Sequence, residues 1–140
     1  MSDNKIKAQG DCQCGAIKVS IDGPVARMAQ CHCRDCQRSS GTGHMSLIFL
    51  GENSVTISGE ATGYAATADS GNTNTRYFCP TCGSRVFATN TLRPGVVAIP
   101  VGIFEDRSWF KPDVVVYGKN RDEWDISDAS TPSFDTMPPA

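Results

Sequence analysis

The chain has 140 residues, a formal net charge of −2 and no run of Lys or Arg. Such a length fits one domain that buries roughly two thirds of its unfolded surface, and the charge leaves no electrostatic footprint for nucleic acid. No segment approaches the roughly 18 apolar residues of a membrane span, and Met1-Ser2-Asp3-Asn4-Lys5-Ile6 holds no apolar stretch of the signal type, so the sequence reads as cytoplasmic with neither nucleic acid nor membrane as a partner.

In chain order, the first ordered feature is Cys12-Gln13-Cys14-Gly15, followed by the alternating Ile17, Val19 and Ile21, which share one face as a half-buried strand requires. Cys31-His32-Cys33-Arg34-Asp35-Cys36 comes next, with a helical turn expected over Arg34 to Ser39. Strands are predicted at Met45 to Leu50, around Val55 and Ile57, at Arg76 to Cys79, Arg85 to Ala88, Val96 to Ile103 and Asp113 to Tyr117. These stretches are short, rich in Val, Ile, Phe and Tyr, and bounded by turn residues. Gly41-Thr42-Gly43, Gly51-Glu52-Asn53, Asp69-Ser70-Gly71-Asn72 and Arg93-Pro94-Gly95 read as turns, because Gly and Asn tolerate positive φ and Pro presets the entry angle. No window carries a helical apolar stripe long enough for a full helix. The expectation is an all-β domain over residues 1–126. From Ser127 the composition shifts to Ser, Thr, Asp and Pro, so residues 127–140 read as an extended tail along the surface.

Seven cysteines in three tight groups are the chemical signal. In a reducing compartment such groups are metal ligands or reactive thiols more often than disulfides, and an odd count agrees. Cys12, Cys14, Cys79 and Cys82 supply four thiolates, enough for a closed tetrahedral zinc site. Residues i and i+2 of a straight strand stand too far apart for one ion, so Cys12 and Cys14 need a kink, for which Gly15 gives the freedom. Cys79-Pro80-Thr81-Cys82-Gly83 repeats the device, with Pro80 fixing the turn and Gly83 letting amides fold back towards the sulfurs.

Cys31, Cys33 and Cys36 form a trio without a fourth ligand. Spacing leaves three readings of it: an open zinc site, a site closed by His44 swinging in from the Gly41-Thr42-Gly43 turn, or a metal-free reactive thiol. His32 lies between two ligands and is expected to point away. Soft thiolates also suit iron-sulfur clusters, but a cluster would have to borrow a cysteine from another group. Arg34, Arg38 and Arg76 fall near ligands in sequence, where solvated arginine is the common case, and Trp109 and Trp124 read as core or surface aromatics.

Together, Cys12-Gln13-Cys14-Gly15, Cys31-His32-Cys33-Arg34-Asp35-Cys36 before Ser39-Ser40-Gly41, and Phe78-Cys79-Pro80-Thr81-Cys82-Gly83-Ser84 make the chain resemble the glutathione-dependent formaldehyde-activating enzyme family, also called the centromere protein V family. Val101-Gly102-Ile103-Phe104, Lys111-Pro112 and Trp124 look like its C-terminal half. The resemblance implies a tent-like assembly of small antiparallel sheets with zinc-binding hairpins, similar to a Rab-associated exchange chaperone. It also implies two zinc ions per chain: a structural one on Cys12, Cys14, Cys79 and Cys82, and a catalytic one on Cys31, Cys33 and Cys36. The implied reaction adds a small thiol, glutathione in the family's founding activity, to formaldehyde, a carbon-sulfur bond-forming step of the lyase class. No segment stands out as a clamp for the charged ends of glutathione. His32 and His44 are the proton donors considered for the alkoxide. Two other readings stand beside the enzyme: a zinc-stabilised protein-binding module, and a thiol or aldehyde stress sensor.

Overall fold

A computed structural model describes residues 4–68 and 71–138. Asp69 and Ser70 of one predicted turn, Met1 to Asp3, and the last two residues of the tail lie outside the described residues. The elements are β1 (Lys5–Asp11), β2 (Lys18–Cys31), α1 (Arg34–Ser40), β3 (Met45–Gly51), β4 (Val55–Ser58), β5 (Thr62–Thr67), β6 (Thr73–Phe78), β7 (Arg85–Asn90), β8 (Val96–Pro100) and β9 (Val114–Val116). The all-β expectation holds. The strand predicted as Val96 to Ile103 ends at Pro100, and Val101–Ile103 forms a single 3-10 turn.

β2 organises the molecule. Its first half pairs antiparallel with β1 and β4, through Lys18↔Asp11 and Lys18↔Ser58, whereas its second half pairs with β3 and with β9. A register shift between Val25 and Arg27 marks the changeover, and an irregularity of that kind bends a strand. From there the path continues β3-β8-β7-β6-β5, each pair antiparallel, while β9 lies parallel to β2. The result is one nine-stranded sheet that turns at β2, rather than several small sheets.

The two faces of β2 separate core from solvent. Val19, Ile21, Val25 and Met28 pack with Ile48, Leu50, Ile99 and Phe104 in the main core. A second cluster gathers Ala29, Cys31, Cys36, Met45, Leu47, Val114 and Val116 at the far end of β2. A third holds Cys12, Ile17, Cys79 and Val86 where the β1–β2 loop meets the β6–β7 loop. Each cysteine group therefore sits on apolar packing of its own. Gly10 is required here because a Cβ would run into the Ile103 carbonyl where β1 crosses that segment.

Beyond β9 the chain loops round and runs parallel to it. Val115 donates its N–H to the Pro132 carbonyl at 2.8 Å, Phe134 donates to Val115 at 2.9 Å, and Tyr117 donates to Thr136 at 3.1 Å. Trp109 packs edge-on against Phe104 in the main core, whereas Trp124 is exposed. Among the described residues no helix is long and apolar enough to cross a membrane.

Candidate metal centres and the cavity beside them

Cys12 and Cys14 leave the end of β1 on a turn in which Gly15 donates to the Cys12 carbonyl at 3.0 Å, with Gly15 at φ 84°. Cys79 and Cys82 leave the end of β6 on a matching turn, Gly83 donating to the Cys79 carbonyl at 2.8 Å with φ 81°. The kink expected at Gly15 and the fold-back expected at Gly83 are both present. They bring one sulfur from each of Cys12, Cys14, Cys79 and Cys82 within 4.8 Å of one another.

Cys14 Sγ stands 3.7 Å from Cys12 Sγ and 3.7 Å from Cys79 Sγ. Two thiolates on one tetrahedral zinc, each about 2.3 Å from the ion, are separated by about 3.8 Å. Backbone N–H groups of Ile17, Thr81 and Cys82 point at Cys12 Sγ and Cys79 Sγ from 3.3 to 3.5 Å, as the outer shell of a thiolate site does. Ser84, its Oγ 3.3 Å from Cys82 Sγ, helps hold that thiol down at about 5. These four residues fit a metal ion in spacing and donor chemistry.

The trio is built differently. Cys31 ends β2, locked between Met45 of β3 and Val116 of β9. Cys33 is the N-cap of α1, and its Sγ accepts from the Cys36 N–H at 3.3 Å. Cys36 lies one turn into the helix, where the Arg76 guanidinium approaches its Sγ to 3.8 Å. Gly41, in the left-handed region at φ 77°, ends α1 and donates to the Gln37 carbonyl. The three sulfurs converge within 4.8 Å, a donor set that fits a soft metal ion. The Cys31 and Cys36 thiols hold Cys33 far below the ordinary thiol range, and Cys33, with Cys36 and burial, drives Cys31 far above it. Cys36 is pushed up to about 11, Cys33 and burial outweighing the help of Cys31.

His44 does not close this group. It faces Asp125, Nδ1 to Oδ2 at 2.6 Å, and packs against the ring of His32 with centroids 5.0 Å apart. Neither histidine lines the cavity on which the trio opens, so the geometry offers no support for them as proton donors to an alkoxide there. Burial lowers the His32 pKa, with His44 adding to the effect and Asp125 opposing it.

That cavity, about 540 Å³, has Cys31, Cys33 and Cys36 in its wall. Among the described residues its charged lining comprises Arg27, Arg34, Arg76, Arg85 and Arg93, with Asp35 as the acid. Arg38 is not part of it. Several of these arginines are held in place: Arg34 donates to Gln37 Oε1 at 2.5 Å, Arg85 donates to Ser39 at 2.9 Å and stacks over Phe78, and Arg93 lies over Phe49. Met45, Leu47 and Phe49 supply an apolar floor. Tyr117 also lines the cavity and has φ 55°, the one non-glycine residue with positive φ among those described. For a bulky residue that conformation is uncommon, and the surroundings must enforce it.

The sequence profile of the glutathione-dependent formaldehyde-activating enzyme family matches residues 7–120. The chain belongs to that family. A crystal structure of a Rhodobacter sphaeroides protein is similar in fold, with a TM-score of 0.56 and 20% identity over 69% of this chain and 87% of that one. No curated protein matches the chain significantly. Family membership points to formaldehyde activation or a related function, and the cysteine groups of this member are arranged so that they can hold metal ions.

Proposed function

We propose that this protein joins a small thiol to formaldehyde or another small aldehyde, using one zinc ion on Cys31, Cys33 and Cys36, and that a second zinc on Cys12, Cys14, Cys79 and Cys82 is structural. The observation that carries the proposal is a three-thiol group in the wall of a roomy cavity, with no further His, Cys, Asp or Glu joining it among the described residues. A three-ligand set leaves a position for a reactant, whereas a four-ligand set is closed. We assign residues 1–126 to the catalytic domain and 127–140 to its tail, working in the reducing cytoplasm, where thiols stay free to bind metal.

Zinc held by the trio supplies a Lewis-acidic position that favours a thiolate near neutral pH. The protein's own groups do the rest. Five arginines against one aspartate among the described residues suit the cavity to an anionic thiol, and the family's description names glutathione, whose carboxylates would meet them. Arg76 is central because it reaches Cys36 Sγ and the cavity together. The apolar floor of Met45, Leu47 and Phe49 limits water, which competes with the thiol for the aldehyde carbon.

In the reaction the thiol loses its proton to solvent, the sulfur lone pair forms the bond to the aldehyde carbon, and the carbonyl π pair moves onto oxygen. A proton returned to that oxygen completes a hemithioacetal, with no net oxidation. We assign that proton to Tyr117, which lines the cavity and would regain one from solvent.

Magnetisation-exchange NMR of formaldehyde with glutathione at catalytic protein concentration is expected to show exchange faster than the spontaneous reaction. An exchange rate independent of protein would sink the enzymatic reading. The role of the arginine wall is tested separately. Arg76→Gln is expected to lower kcat/KM about ten- to a hundredfold for a carboxylate-bearing thiol, the range of a charge-assisted hydrogen bond. An uncharged thiol should be affected far less, and an equal loss for both thiols would remove Arg76 from substrate recognition.

A further inference from the structure

The short turn that holds the trio has a second chemical face. His32, between two of the thiols in sequence, carries its ring away from the cavity to meet His44 and Asp125, and one ligand atom from each of these three residues lies within 4.8 Å of the others. Asp125 lies beyond residues 7–120, the stretch that matches the family. We infer that His32, His44 and Asp125 form a third metal site, selective for a zinc-like divalent cation with nitrogen and oxygen ligands.

The decisive feature is His32. Its side chain is 1% exposed, and neither Nδ1 nor Nε2 makes a hydrogen bond. A neutral imidazole in either tautomer has one N–H and one lone pair. The groups facing the ring are the Asp125 carboxylate, 3.5 Å from Nδ1, the Gly43 backbone carbonyl, and the His44 ring with its centroid 5.0 Å away, whose Nδ1 is engaged with Asp125. The two oxygens are acceptors, so they offer nothing to the lone pair. A cation does. Arg121 is the nearby positive charge, and its guanidinium is turned onto the backbone carbonyls of Asp122 and Asp125, at 3.2 and 2.9 Å, leaving the Asp125 carboxylate to the histidines.

The spacing agrees with this reading. Two ligands on a tetrahedral zinc at about 2.0 to 2.1 Å stand about 3.3 Å apart. The 3.5 Å between His32 Nδ1 and Asp125 Oδ2 needs little adjustment, while the 2.6 Å hydrogen bond between His44 Nδ1 and Asp125 must open by less than about 1 Å. That opening releases the proton shared by the pair to solvent and leaves both atoms as ligands. Gly43 makes room for the carboxylate, since a Cβ there would overlap it. Side-chain exposures of 23% at His44 and 11% at Asp125 give an ion a way in from solvent.

The test uses full-length protein produced in cobalt-supplemented medium, with bound cobalt counted by mass spectrometry and its ligands read by absorption. Thiolate sites give intense sulfur-to-metal charge-transfer bands, whereas a nitrogen and oxygen site gives weak ligand-field bands alone. Wild type is expected to carry one cobalt per chain more than its charge-transfer intensity accounts for. His44→Gln and Asp125→Asn are each expected to lose that equivalent and to keep the charge-transfer bands, which also report an intact fold. Wild type with no cobalt beyond the thiolate sites, or an extra equivalent undiminished in both variants, would overturn the inference. Because the thiolate bands are read separately, a failure of the proposed catalytic role leaves this outcome unaffected.

Discussion

Cys79→Ser is expected to cost roughly 5 kcal/mol or more, enough to unfold the chain or to lower its melting temperature by about 15 °C or more. The position of the four-cysteine site is the reason. Cys14 and Cys79 are 65 positions apart, yet their sulfurs stand 3.7 Å from each other. In the sheet order β1-β2-β3-β8-β7-β6-β5 the two loops involved are far apart, so a metal there ties one end of the sheet to the other. Cys79 is itself buried, in contact with Ile17 and Val86. A lost ligand would leave a buried hydroxyl and a set of inward-pointing N–H groups without their sulfur. Thermal unfolding followed by circular dichroism, with and without a zinc chelator, checks this. A melting temperature within about 3 °C of wild type would mean that this site does not carry the fold.

Much of that site was legible because metal coordination constrains sequence tightly. Four sulfurs around one ion require closely spaced pairs, and each pair requires a glycine where the backbone turns back, here Gly15 and Gly83. Strands with Val and Ile in alternation were equally plain. β1 and β5 were not, because Lys5–Asp11 carries a weak alternation of Ile, Ala and Gly, and Thr62–Thr67 is a largely exposed edge strand. The full length of β2 was hidden because Asp22-Gly23-Pro24 interrupts its alternation of apolar residues. In the structure Pro24 sits at the end of the pairing with β1, where a missing N–H is tolerated, just before the strand bends to meet β3.

The cavity and the histidine cluster were out of reach for a different reason. The five arginines come from β2, α1, β6, β7 and the β7–β8 turn, and no local pattern announces that they face one space. His44 and Asp125 are 81 positions apart. Sequence spacing correctly turned His32 away from the trio, but it carried no information about what His32 would meet. The positive wall is likewise invisible as a segment, because the fold assembles it from separate elements. Tyr117 is the same kind of case, since nothing in Val116-Tyr117-Gly118 signals that the tyrosine rather than the glycine takes positive φ.

Cys33→Ser is expected to lower kcat/KM at least about a thousandfold, roughly 4 kcal/mol of transition-state stabilisation, while shifting the melting temperature by only a few degrees. Serine makes this substitution unusually clean. Cys33 caps α1 through its side chain, which accepts the Cys36 N–H, and serine is among the best residues for that position. The helix, its tie from Gln37 to the Asn120 carbonyl, and the packing of Cys36 should therefore persist. What is lost is a soft thiolate in the cavity wall, replaced by a hard neutral oxygen that binds zinc poorly. Metal content is expected to fall by one equivalent as activity falls, with the four-cysteine site still loaded. The opposite outcome, full turnover with a fall in stability comparable to that of Cys79→Ser, would make the trio a second structural clip and favour a zinc-stabilised binding module. Zinc release by formaldehyde alone, with no thiol adduct formed, would favour an aldehyde sensor. The two serine variants are thus expected to separate along different axes, one losing fold and the other losing chemistry, because one set of thiols joins two distant loops and the other opens on a cavity.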